Sequence, residues 1–245
     1  MIKQQGFTLI ELAMVLFIVA LILGGVLTPL STRLEQANRK QAEEVLKEIK
    51  NSLVGYALVN GHLPCPDCPL SASANCTAAN SNDGLEDGLD AGGTIVARPN
   101  FKACTVQVGN VPWATLGVPE FDPWGHRYVY SVDQTFADDT DGTGCATSTA
   151  GMSFALCSTG NMTVQDVNGN VIASQVPALI LSYGADGQAY GGTAPTSASE
   201  QENWWTDADG TFISNDYISD QFDDLVQWIT NPELMYRMVT AERLP

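Results

Sequence analysis

Between residues 7 and 30 almost every position is apolar and no polar stripe breaks the run. Hydrophobicity on all sides over that length predicts a helix able to cross a bilayer core, which takes about 20 residues. Glu11 is the only ionisable side chain within it. A carboxylate inside a span costs about 2.5–3.5 kcal/mol on insertion scales, so it marks either a functional group with a partner or a helix-end residue reaching the headgroups. After residue 30 the pattern changes. Leu34, Ala42, Val45, Leu46, Ile49, Leu53, Tyr56 and Ala57 recur at spacings of three and four, with charge on the opposite side, which predicts an amphipathic helix. Glu43 and Glu44 are placed to pair with Lys47. Asn60, Gly61 and Pro64 supply a stop. The expectation is one helix from about residue 7 to 59, bent or interrupted near Gly24, Gly25 and Pro29 and on the order of 80 Å long.

From residue 61 the pattern becomes turn-rich. Residues 65–93 read as a long loop pinned by Cys65, Cys68 and Cys76. Segments 105–108, 128–132, 153–157, 162–165, 171–173 and 178–182 are rich in β-branched and aromatic residues and are separated by Asn-Gly and Asp-Gly turns, which predicts an antiparallel sheet. Segment 178–182 is apolar on both faces and is expected to be the central strand. Residues 220–229 read as a short helix, and 231–245 as a second, amphipathic one.

Charge sharpens this division. The chain of 245 residues carries a formal net charge of −17. Residues 1–60 hold six basic and five acidic residues, and the remainder five basic and 23 acidic. A polyanionic C-terminal part lacks the basic footprint that nucleic acid requires. It suits calcium, a basic partner or plain solvation. Lys3 ahead of the apolar run, against an acidic remainder, places the N-terminus in the cytoplasm. The apolar run is too long for a secretory signal core and no small-residue cleavage site follows it, so the helix is expected to stay.

All six cysteines (Cys65, Cys68, Cys76, Cys104, Cys145 and Cys157) follow the apolar run. An even number on one side of a span points to an oxidising compartment and disulfides, with 15 possible pairings. The spacing of Cys65 and Cys68 also fits a redox pair or half a zinc site. No second CxxC follows, and neither a nucleophile elbow nor a P-loop is present, so no enzymatic activity is expected.

Gly6 followed by FTLIE and the apolar helix resembles the processing signal of type IV pilins and type II secretion pseudopilins. The resemblance implies cleavage between Gly6 and Phe7 by a prepilin peptidase, which also N-methylates Phe7. It makes Glu11 the glutamate that neutralises a neighbouring subunit's N-terminal amine during assembly. Further on, DPWGHRYVY (122–130) and SYGADG (182–187) are similar to segments of major pseudopilins. In that group a following D-A-D run binds calcium, which here implies Asp207 and Asp209, with Asp186 as a contributor or turn former. Calcium takes six to eight oxygens, so carboxylates, carbonyls and waters suffice. Two other acidic turns, 83–90 and 138–142, offer either calcium sites or ordinary Asp-Gly turns. Trp204 and Trp205 are placed for a partner contact or for packing over the sheet.

The resemblance implies an α+β pilin-like fold, with a long N-terminal helix packed on an antiparallel sheet and disulfide-pinned loops. Its parts would be a leader at 1–6, a membrane and polymerisation half-helix at 7–30, an amphipathic half at 31–60 and a periplasmic or extracellular domain at 61–245. Function would be that of a non-enzymatic filament subunit, and the length and cysteines point to a minor pilin. A pseudopilin of type II secretion is the alternative, and a tip adhesin or DNA-uptake pilin the third reading. Partners would be other pilin subunits, the peptidase and the inner-membrane assembly platform.

Overall fold

A computed structural model describes residues 8–96, 101–138, 142, 145, 146, 148–187, 190–205, 210–218 and 221–244; for 22–31 it gives the helix without side chains. The chain divides into two compact units, Met1–Gln41 and Ala42–Pro245.

The first unit is helical. Helix α1 (Leu9–Asn60) begins here and runs through Gly24, Gly25 and Pro29 without the expected interruption. Its large apolar side chains from Leu9 to Leu21 are all exposed, from 44% at Val19 to 88% at Leu9. Among the described residues, no helix is long and apolar enough to cross a membrane. The expected span at 7–30 lies partly outside those residues.

In the second unit the amphipathic pattern of α1 has a clear consequence. Ala42, Leu46, Ile49, Leu53 and Ala57 are each at most 1% exposed and form one wall of the core. Short strands β1 (Gly88–Leu89), β2 (Ile95–Val96) and β3 (Ala103–Cys104) make a small antiparallel sheet in the order β2-β1-β3. Strand β4 (Val108–Asn110), the single-turn helix α2 (Trp113–Leu116) and β5 (Val129–Val132) follow. Then come β6 (Met162–Gln165), β7 (Val171–Val176), β8 (Ala178–Ser182), α3 (Ala198–Glu202), β9 (Thr211–Ile213), β10 (Leu225–Ile229) and α4 (Asn231–Thr240).

The four-stranded sheet β10-β8-β5-β4 is antiparallel throughout and lies in the middle of this unit. Period-two alternation sends Tyr130, Val132, Ala178, Ile180, Leu225 and Ile229 towards the core formed with α1 and α4. Val129, Leu179, Leu181 and Val226 face a second core with Met162, Val164, Val176 and Phe212 of the third sheet, β7-β6-β9. Strand β8 is therefore apolar on both faces because both faces are covered.

Several expectations are corrected. The helix expected over 220–229 does not form among its described residues, 221–229: 225–229 are β10, paired residue for residue with β8 from Leu225 opposite Ser182 to Ile229 opposite Ala178. Residues 153–157 are not a strand. Ser153 Oγ donates to the Thr135 carbonyl at 2.8 Å and to Asp138 Oδ1 at 3.1 Å, and Ala155 N–H donates to Ser158 Oγ at 3.0 Å. Such side-chain bonds hold a buried loop in place of a ladder. Pairing expected over 105–108 begins only at Val108. The single antiparallel sheet is three sheets, and β6 runs parallel to β9. Helix α4 forms as expected, with Thr230 Oγ1 accepting from Glu233 N–H as its N-cap.

Candidate functional site

At the start of α1, Gly6 and Phe7 lie outside the described residues, and Glu11 lies within them. Its Oε2 accepts from both the backbone N–H and the hydroxyl of Thr8 at 2.9 Å, and Thr8 Oγ1 accepts from Glu11 N–H at 3.3 Å. This is a capping box, in which two helix-start donors are satisfied reciprocally. The sequence reading offers Glu11 as an assembly residue or a helix-end residue reaching the headgroups, not as half of a capping box. The signal for its local role was present, as a Thr three residues ahead of a Glu at the head of an apolar run.

The two downstream segments picked out in the sequence fold into one hydrogen-bonded knot. Asp122, only 5% exposed, accepts at Oδ1 from Trp124 N–H at 3.0 Å and His126 N–H at 2.8 Å, and at Oδ2 from Ser182 Oγ at 2.6 Å. His126 Nδ1 lies 3.0 Å from the Gly184 carbonyl. Gly184 has φ +68, and a Cβ there would meet the Asp223 carboxylate at 2.5 Å. A glycine is thus required both by conformation and by space. Asp223 Oδ2 accepts from Ala185 N–H at 2.7 Å. Tyr183 donates from its hydroxyl to the Asn203 carbonyl at 3.0 Å and packs against Trp204 and Trp205, both under 10% exposed. The tryptophan pair is packing over the sheet.

Beside this knot three carboxylates converge. Asp186, Glu200 and Asp223 each offer an oxygen, and these lie within 4.8 Å of one another. Glu200 Oε1 accepts from Asp223 N–H at 3.1 Å. Burial, with the charge of Asp186 behind it, pushes Asp223 up to about 7 and raises Glu200. The neighbouring Asp224 is raised by burial too, while its Oδ2 accepts from Asn203 Nδ2 at 2.7 Å. Among the described residues no basic side chain pairs with Asp186 or Glu200. Of the three residues expected to hold calcium, Asp186 is placed in this cluster, and Asp207 and Asp209 lie outside the described residues. Glu200 and Asp223 were missed, because only the fold brings them to Asp186.

The cysteines pair as Cys65–Cys104, Cys68–Cys76 and Cys145–Cys157. Cys65 and Cys68 are not bonded to each other, so the redox-pair and zinc readings of their spacing fall away. Their loop continues into a polar cluster on β4. Asp67 and Asn110 exchange backbone hydrogen bonds at 3.0 and 2.9 Å, and Asn110 Nδ2 donates to Asp67 Oδ2 at 3.2 Å and Asn82 Oδ1 at 2.9 Å.

Residues 1–27 match the prokaryotic N-terminal methylation motif, the signal carried by type IV prepilins and pseudopilins. No curated protein and no solved structure matches the chain.

Proposed function

We propose that this chain is a non-enzymatic structural subunit of a type IV filament system, a minor pilin processed by prepilin peptidase and assembled through α1. The observation that carries this reading is the methylation motif at residues 1–27. Cleavage between Gly6 and Phe7 creates an ammonium four residues from Glu11, and methylation leaves it charged. The exposed apolar side chains from Leu9 to Leu21 support the reading, because each gains about 1.5–3 kcal/mol on leaving water. They would lie first in the inner membrane, as part of a single span with a cytoplasmic N-terminus, and then in the filament core. Other pilin subunits, the peptidase and the assembly platform are the implied partners. In a dry core Glu11 opposite a neighbour's amine sets register, since either charge left alone there costs several kcal/mol.

A second reading, a pseudopilin of type II secretion, draws on the knot of Asp122, Ser182 and Gly184 that unites the two pseudopilin-like segments. Within either reading a structural calcium ion would be held by Asp186, Glu200 and Asp223, whose carboxylate oxygens lie within 4.8 Å of one another. The ion would supply positive charge that fixes α3 and the 184–187 turn to the segment leading into β10. The separating experiment is quantitative mass spectrometry of sheared filaments. Trace, reproducible presence of the processed chain supports the minor pilin. Its absence from filaments, with processed chain retained in the envelope, supports the pseudopilin.

A further inference from the structure

Strand β4 lies at the edge of the four-stranded sheet, and two hollows of about 510 and 150 Å³ adjoin it, with Tyr190 and Trp205 in the walls of both. Ligand pockets run to about 300–1,000 Å³. The smaller hollow holds a buried polar group that the fold leaves unspent. Asn110 is 2% exposed, and its Nδ2 donates to Asp67 Oδ2 at 3.2 Å and to Asn82 Oδ1 at 2.9 Å, while its Oδ1 accepts from no donor among the described residues. With both amide hydrogens spent on Asp67 and Asn82, Oδ1 is the atom that Asn110 brings to the hollow it lines. His126 adds a second acceptor. A carbonyl only accepts, so Nδ1, 3.0 Å from the Gly184 carbonyl, carries the proton and leaves Nε2 of the neutral ring bare. Arg127 supplies donors. Its Nε and Nη2 go to one oxygen of Glu120 at 3.1 and 2.7 Å, and its Nη1 makes no hydrogen bond among the described residues. Phe121 lines the same hollow and is 48% exposed. No described residue lining either hollow carries a carboxylate, although the domain is strongly acidic, and Glu120 neutralises Arg127. An added peptide strand does not fit this part of the edge, because Asn110 already exchanges both outward backbone bonds with Asp67, at 3.0 and 2.9 Å.

We propose that these hollows bind a neutral saccharide, with one sugar ring against Asn110 and His126 and the next reaching past Tyr190 and Trp205 into the larger hollow. A sugar hydroxyl both donates and accepts. It can therefore give a hydrogen bond to Asn110 Oδ1 or His126 Nε2 and take one from Arg127 Nη1. The C–H faces of the ring are apolar and pack on aromatic rings, which Phe121 and Tyr190 supply. The larger hollow continues the same chemistry. The side-chain amides of Gln107 and Asn161 make no hydrogen bond among the described residues and stand beside Val106, Val108 and Phe212. An anion would need a cation not already paired, and a cation would need a carboxylate, and the described walls offer neither. The site does not involve the carboxylates of Asp186, Glu200 and Asp223 and does not rest on the proposed function.

The test uses the full chain in a detergent without sugar headgroups. Glucose, galactose, mannose, N-acetylglucosamine and their disaccharides are screened at millimolar concentration by saturation-transfer NMR, with N-acetylneuraminate and a short, blocked, neutral peptide alongside. At least one neutral sugar is expected to receive saturation, and the anionic sugar and the peptide none. Calorimetry then compares the affinity of that sugar across variants, with circular dichroism as the check on folding. Phe121→Ala, at an exposed position, is expected to weaken binding about tenfold by removing a stacking face. Asn110→Ala is expected to abolish it. Should Asn110→Ala fail to fold, Phe121→Ala alone decides. Three results overturn the proposal: no transfer to any neutral sugar, stronger transfer to N-acetylneuraminate or the peptide, or an affinity unchanged by Phe121→Ala and by folded Asn110→Ala.

Discussion

Removing the Asp122 carboxylate tests whether the two pseudopilin-like segments are one structural unit. Three donors converge on it, from Trp124, His126 and Ser182, and the residue is 5% exposed. A hydrogen bond to a charged group contributes about 1.5–3 kcal/mol, and a buried donor left without its acceptor costs about 1–3. Trp124 and His126 are half-buried, so their N–H groups regain some water. Asp122→Ala should therefore destabilise the second unit by about 3–5 kcal/mol. Ser182→Ala removes only the 2.6 Å bond and should cost about 1.5–3 kcal/mol. The double mutant should be little worse than Asp122→Ala alone, giving a coupling energy of about 1.5–2 kcal/mol. Urea unfolding of the full chain in detergent, followed by tryptophan fluorescence, reads these values. Additive losses with no coupling would refute the reasoning, since each segment would then be stable without the other.

Further consequences follow from the same geometry. Glu11→Gln keeps an acceptor for Thr8, so circular dichroism should show α1 intact. It lacks the charge for a neighbour's amine, so its incorporation in sheared filaments should fall more than about tenfold, one partner of a buried pair being worth about 3–5 kcal/mol. Replacing Cys65 and Cys104 by Ser opens a loop spanning 39 residues and should cost about 4 kcal/mol in the same unfolding assay. Burial raises Asp67 to about 7 and Asp87 to about 6, well above the unfolded value. The folded state then binds more protons than the unfolded one, so in chelator, stability should fall as pH rises from about 4 to about 7. Asp67→Asn should flatten that slope, and a profile rising over this range would count against the burial of both carboxylates without a counter-charge.

What was legible in the sequence was mostly local. The stripe from Ala42 to Ala57 on α1, the hairpin of β6 and β7, the two-faced strand β8 and the amphipathic helix α4 all follow from periodicity and short-range chemistry. Strand β10 was not legible. Its five residues follow an acidic turn and carry too little alternation to distinguish strand from helix, and only pairing with β8, more than 40 residues earlier, makes it a strand. The disulfide partners were hidden for the same reason. Cys65 reaches past its CxxC neighbour to Cys104 because the intervening segment folds back against β3. At the candidate site, Asp186 was visible through its turn, whereas Glu200 and Asp223 are joined by a bond across 23 positions. The constraint on Gly184, which must leave room for Asp223, is a signal that no single sequence could display.

The central claim is that the chain is cut after Gly6 and enters a filament, and mass spectrometry of its N-terminal peptide tests this most directly. The predicted result is a peptide beginning with N-methylated Phe7, recovered from sheared filaments or the processed envelope pool and lost when Gly6 is replaced by a bulky residue. An intact Met1 form as the only species in the envelope would contradict it.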